Sequence, residues 1–115
     1  MKSLFLIFAF MPMTLKAQPC AVYGISDSPQ SLKCYVTYGS QIEKLTLSCH
    51  RGTYILHWRG EAMDVENAYH EEVERGSSPL VFEARDLSLT SVSQRVYSLA
   101  TLRISKDTYQ GLCFD

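Results

Sequence analysis

The chain has 115 residues, 46% of them apolar, with 11 basic and 12 acidic side chains and a formal net charge of −1. That length holds one domain and not two. The charge balance excludes a basic footprint for nucleic acid, and no apolar run reaches the roughly 20 residues of a membrane-spanning helix.

The first element is a leader. Lys2 opens it, an apolar run from Leu4 to Met13 is broken only by Pro12, and Leu15-Lys16-Ala17 ends on a small residue. This order predicts a secretory signal peptide over 1–17, cut after Ala17, and a single mature domain over 18–115. Pro19 stands before Cys20 where a lipoprotein signal needs a small residue, so no lipid anchor is expected. Loss of Lys2 and Lys16 takes the net charge to about −3, which favours solubility. The expected destination is secreted or periplasmic. There Cys20, Cys34, Cys49 and Cys113 meet an oxidising environment and are expected to form two disulfides. No C-x-x-C spacing supports a redox or zinc-ribbon role. A domain this small buries only about two-thirds of its unfolded surface, so cross-links matter to it.

Alternation of period two then predicts strands. Leu32, Cys34, Val36 and Tyr38 share one face, with Tyr35 on the other. Gly39-Ser40-Gln41 forms the expected turn, and Leu45, Leu47 and Cys49 the returning face. A turn centred between Gln41 and Ile42 sets Tyr38 against Leu45, Val36 against Leu47 and Cys34 against Cys49. Of the three connectivities open to four cysteines, this register favours Cys34–Cys49 with Cys20–Cys113. Arg51-Gly52 breaks the run, and a third strand over 54–58 buries Tyr54, Leu56 and Trp58. Gly60 turns the chain into a short fourth strand over 62–66. The charged stretch 67–75 reads as a solvated, irregular or edge element, and Gly76-Ser77-Ser78-Pro79 as a loop. Strands follow over 80–84 and around Leu87, Leu89 and Val92. The longest candidate, 94–104, places Val96, Ser98, Ala100, Leu102 and Ile104 on one face and Tyr97 and Leu99 on the other, as a central strand covered on both sides would. A turn at Lys106-Asp107 leads to a last strand over 109–114. Seven or eight short strands without a helical period predict an all-β fold, a small antiparallel β-sandwich or β-barrel with two disulfides.

Residues able to do chemistry are few. His50 and His57 fall on neighbouring strands, and His70-Glu71-Glu72 could add a third ligand, so a small metal-dependent hydrolase is the alternative function. The H-E-x-x-H pattern fails because position 74 is Glu74. The acidic run Glu61, Asp64, Glu66, Glu71, Glu72, Glu74 lacks the calcium-loop spacing and reads as a solvated face rather than an acid–base pair. G-x-S-x-G is absent, and paired cysteines leave no thiolate. No catalytic residue, metal or cofactor is assigned. Tyr23, Tyr35, Tyr38, Tyr54, Trp58, Tyr69, Tyr97 and Tyr109 are more suggestive, because such rings serve both sheet packing and interfaces.

Trp58-Arg59-Gly60-Glu61-Ala62 is similar to the W-x-K-G-x-E-A segment of periplasmic C-type lysozyme inhibitors, small secreted β-barrels with disulfides. The likeness covers five residues. In that family the segment lies near the C-terminus, whereas here more than 50 residues follow it, and the family's preceding S-x-S-G-x-x-Y run is not matched. It therefore carries over no functional residue. The expected function is a non-enzymatic binding protein, inhibitor-like in kind, whose partner is another protein or an extracellular macromolecule. The expected surface is the solvent side of the third strand and its turn: His57, Arg59 and Glu61.

Overall fold

The computed structural model describes residues 18–72, 79–94 and 96–114. The leader over 1–17 and most of the Gly76–Pro79 loop lie outside those residues. Among the described residues nine strands form one continuous antiparallel sheet: β1 (Ser31–Tyr38), β2 (Gln41–His50), β3 (Thr53–Trp58), β4 (Glu61–Asp64), β5 (Asn67–His70), β6 (Leu80–Glu83), β7 (Leu87–Ser93), β8 (Ser98–Ile104) and β9 (Asp107–Phe114). Their order is β4-β3-β2-β1-β9-β8-β7-β6-β5, curled into a half-barrel. Neighbours in the sheet are neighbours in the chain, except that β9 returns to pair with β1. The all-β expectation holds, and the barrel-like alternative is the one realised.

The alternation read from the sequence is the alternation that folds the sheet. Leu32, Cys34, Val36, Leu45, Leu47, Tyr54, Leu56 and Trp58 are buried on the concave side, joined by Phe82, Leu87, Leu89, Ala100, Leu102 and Cys113. The Tyr54 and Phe82 rings meet edge-on at 5.2 Å and tie the two flanks of the sheet together. The turns β1–β2, β3–β4, β6–β7 and β8–β9 all lie at one end, called upper here. At the lower end the segment 18–30 lays Cys20 and Val22 into the core. It is pinned there by Gln30, whose side chain accepts from the Cys20 N–H and donates to the Cys20 carbonyl. Val22 N–H donates to Ser28 Oγ, and Tyr54 donates its phenol to the Pro29 carbonyl.

The disulfide pairing corrects the expectation. The bridges are Cys20–Cys49 and Cys34–Cys113, not Cys34–Cys49 and Cys20–Cys113. The cause is the first turn. Gly39, at φ 69°, lets Gly39-Ser40 close a two-residue hairpin with Tyr38 opposite Gln41. Every pair then slides along the strand. Cys34 lies opposite Leu45, and Leu32 opposite Leu47. The slide keeps parity, so the buried face survives it. It carries Cys49 past the start of β1 to meet Cys20, while Cys34 lies directly opposite Cys113 across β1–β9.

Three further expectations shift. The strand expected from Gln94 begins at Ser98, which leaves Val96 83% exposed. β8 is central within the sheet, paired on both edges, but only its inner face is covered. The last turn lies at Ser105-Lys106, with Ser105 in the left-handed region. Asn67–His70, the start of the charged stretch, form an edge strand, β5, and residues 73–75 of that stretch lie outside the described residues.

β4 and β5 act as one bent strand. Val65 N–H continues the β3 ladder by donating to Tyr54 O, and Glu66 N–H crosses to the other side and donates to Glu83 O. Glu83 also pairs with Asn67. Two successive residues therefore oppose one, a β-bulge that swings the strand from β3 to β6. The bulge flips the side-chain alternation: Met63 and Val65 face the core before it, Ala68 after it.

Candidate interaction surface

The register of the central strands assembles a row on the convex face. Tyr35 lies opposite Leu112, Leu112 opposite Leu99, and Leu99 opposite Val92. Phe114 and Tyr97 continue the patch toward the lower end, with the Tyr35 and Phe114 rings 6.4 Å apart. Tyr35, Tyr97, Leu99, Leu112 and Phe114 are each 38 to 46% exposed. Such residues scattered singly need no explanation, but four on three adjacent strands, with Tyr97 just before β8, form a contiguous apolar face. The next residues outward are polar: Thr37, Gln110, Thr101 and Thr90 on the upper side, Lys33 beside Phe114 and Lys44 beside Tyr35.

Lys44 links this face to two of the three residues expected from sequence. A shallow groove of about 490 Å³ is lined by Lys44, Thr46, Ser48, His57, Arg59 and Gly60. His57 is on the convex side of β3, opposite Thr46. Arg59, held at φ 47° in the β3–β4 turn, lies 4.7 Å above the Tyr38 ring and 3.3 Å from the Glu43 carboxylate. Both partners of that ion pair are solvent-accessible, so it contributes about 0–1 kcal/mol. Glu61 does not join them. It faces a second cavity on the far side of the turn, with Trp58, Met63, Arg85 and Leu87.

The tyrosines divide by face. Tyr38, Tyr54 and Tyr109 pack inward, with Tyr38 5.5 Å from Trp58 and 4.8 Å from Tyr109. Tyr35 and Tyr97 face solvent, and Tyr69 donates to Glu83 Oε2 at 3.1 Å. Burial raises the Tyr54 phenol above its ordinary value, a hydrogen bond with Ser28 partly opposing it. Burial first, and then the Glu83 carboxylate, raise Tyr69.

The three histidines do not converge. His50 ends β2, His57 is the penultimate residue of β3, and His70 packs against Gly24 on the opposite edge of the sheet. Among the described residues no group of three His, Cys, Asp or Glu side chains is arranged to hold a metal ion. At the lower end, Asp27, Ser28, Gln30, Leu32, Ser91 and Ser98 help to line an open cavity of about 530 Å³ that contains neither histidine nor basic residue. The convex apolar face is not evident from alternation alone, because two apolar faces at Tyr97 and Leu99 suit a strand covered on both sides equally well. Its signal was present in the second apolar face of 97–99 and in the alternation Leu112, Phe114.

No family model matches the chain, and neither the curated proteins nor the solved structures compared with it contain a match.

Proposed function

We propose that this chain is an exported, non-enzymatic binding protein that engages a protein partner through the convex face of β1, β9 and β8. The contiguous exposed row Tyr35, Leu112, Leu99, with Phe114 and Tyr97, carries this reading. Two disulfides are compatible with an oxidising compartment, and no helix among the described residues is long and apolar enough to cross a membrane. Lys33 and Lys44 flank the apolar centre, and His57 shares a groove with Lys44. The complementary surface is a protein patch with an apolar centre and an acidic margin.

A photo-crosslinking side chain at position 112 tests this in the protein's native compartment, with position 101 on the polar row as control. The expected result is one dominant protein adduct from position 112, absent from position 101 and lost in the Leu99→Glu variant and in the Lys33→Glu/Lys44→Glu variant. Equal adducts from both positions, or crosslinking to lipid alone, contradict the proposal.

A further inference from the structure

The bent strand β4–β5 leaves a seam on each of its sides. Below the bulge it pairs with β6 and turns its other edge outward. There the chain's own Tyr23 fills the seam: its N–H donates to Ala68 O, and its carbonyl accepts from His70 N–H, a parallel bridge. Above the bulge the strand pairs with β3 and turns its other edge toward the β6–β7 turn. Since Val65 points to β3, alternation points Met63 and Glu61 to β3 and points Ala62 and Asp64 away from it. The backbone N–H and C=O groups of Ala62 and Asp64 have no backbone partner among the described residues. Beside this edge opens a cavity of about 490 Å³. Its floor is Trp58, Met63, Leu87 and Ile104, and its charged lining is Glu61 and Asp86 against Arg85. Asp64 and Glu66 continue the acidic edge of the same strand.

We propose that this upper seam is a strand-acceptor slot, filled by an extended segment of a partner protein whose side chains alternate apolar and basic. Backbone hydrogen bonds to Ala62 and Asp64 hold the segment, as Tyr23 is held below. Alternate side chains turn inward onto Trp58, Met63, Leu87 and Ile104, on the face where Glu61 also lies opposite Trp58, and those between them meet Asp64 and Asp86. This surface is separate from the convex face and stands or falls independently of it.

The probe is a dye-labelled hexapeptide alternating leucine and lysine, titrated against the intact protein by fluorescence anisotropy. Saturable binding is expected. It should weaken by about tenfold or more when the peptide bonds of one edge are N-methylated, and similarly when glutamate replaces lysine. Ala62→Pro removes only the N–H that faces the seam, at an edge position where proline is tolerated, and should have the same effect. If Ala62→Pro does not fold, Asp64→Lys/Asp86→Lys replaces it and should reverse the preference between the lysine and glutamate peptides. Leu99→Glu should leave binding unchanged. Absence of saturable binding, equal binding of the N-methylated peptide, or self-association of the protein blocked by Ala62→Pro overturns the proposal.

Discussion

Gly111 shows how closely β9 and β1 approach. It pairs with Val36 on one side and Ala100 on the other. A Cβ built on it falls 2.7 Å from Val36 Cα, a backbone atom with no freedom to retreat. Gly111→Ala is therefore expected to destabilise the domain by about 1–3 kcal/mol, the range for overpacking, with a matching drop in the denaturant midpoint. Tyr54 gives a second test. Its phenol has a raised folded pKa because it is buried, so it binds its proton more tightly folded than unfolded. That stability is fully present below the unfolded value of 10.0 and is lost as the pH rises through the higher folded value. The urea midpoint should fall as the pH passes above about 10, and fall less in Tyr54→Phe. That variant begins less stable by roughly 1 kcal/mol for its lost hydrogen bond to Pro29. At this scale the sequence is legible wherever parity alone decides the matter. Leu32, Cys34, Val36, Leu45, Leu47, Tyr54, Leu56 and Trp58 lie on the face that alternation assigns them. It had no means of finding Gly111 or Val22, because each depends on what a distant segment brings against it.

Strand pairing depends on distances that no single strand encodes. Gly39-Ser40 sets the β1–β2 register, and moving the turn from Gln41-Ile42 to those two residues was enough to exchange the disulfide partners while leaving every buried residue buried. The two bridges then do different work. Cys34–Cys113 closes 79 residues and clamps β1 to β9, and Cys20–Cys49 closes 29 and holds the 18–30 segment in the lower end. In the chain-entropy model they contribute roughly 4.5 and 3.5 kcal/mol. Cys20→Ala/Cys49→Ala is expected to increase exchange at the Tyr23 and His70 amides before any global unfolding. Cys34→Ala/Cys113→Ala should lower the melting temperature more and do so cooperatively. Hydrogen exchange and calorimetry separate the two, and identical behaviour of the two variants contradicts this division. β8 failed the expectation of cover for a similar reason. Its second apolar face is legible in the alternation, but whether a second layer lies over that face is decided by how the whole sheet curls.

For the whole molecule, the functional reading follows from one adjacency. Only because β9 returns to β1 does Tyr35 join Leu112 and Phe114, and with Leu99, set beside Leu112 by the β8–β9 hairpin, make one exposed apolar face. The sequence showed those side chains in separate strands and gave no view of their being neighbours. It led instead to His57, Arg59 and Glu61, of which the fold keeps the first two on one groove and turns the third to the seam. The same adjacency places Cys34 opposite Cys113, so covalent chemistry reports on it. Lys33, Lys44, Arg51 and Lys106 put the four cysteines in four different tryptic peptides. Peptide mass spectrometry of the unreduced protein should find 34–44 joined to 107–115, and the Cys20 peptide joined to 45–51. A peptide joining Cys34 to Cys49 would contradict the topology and, with it, the proposed binding face.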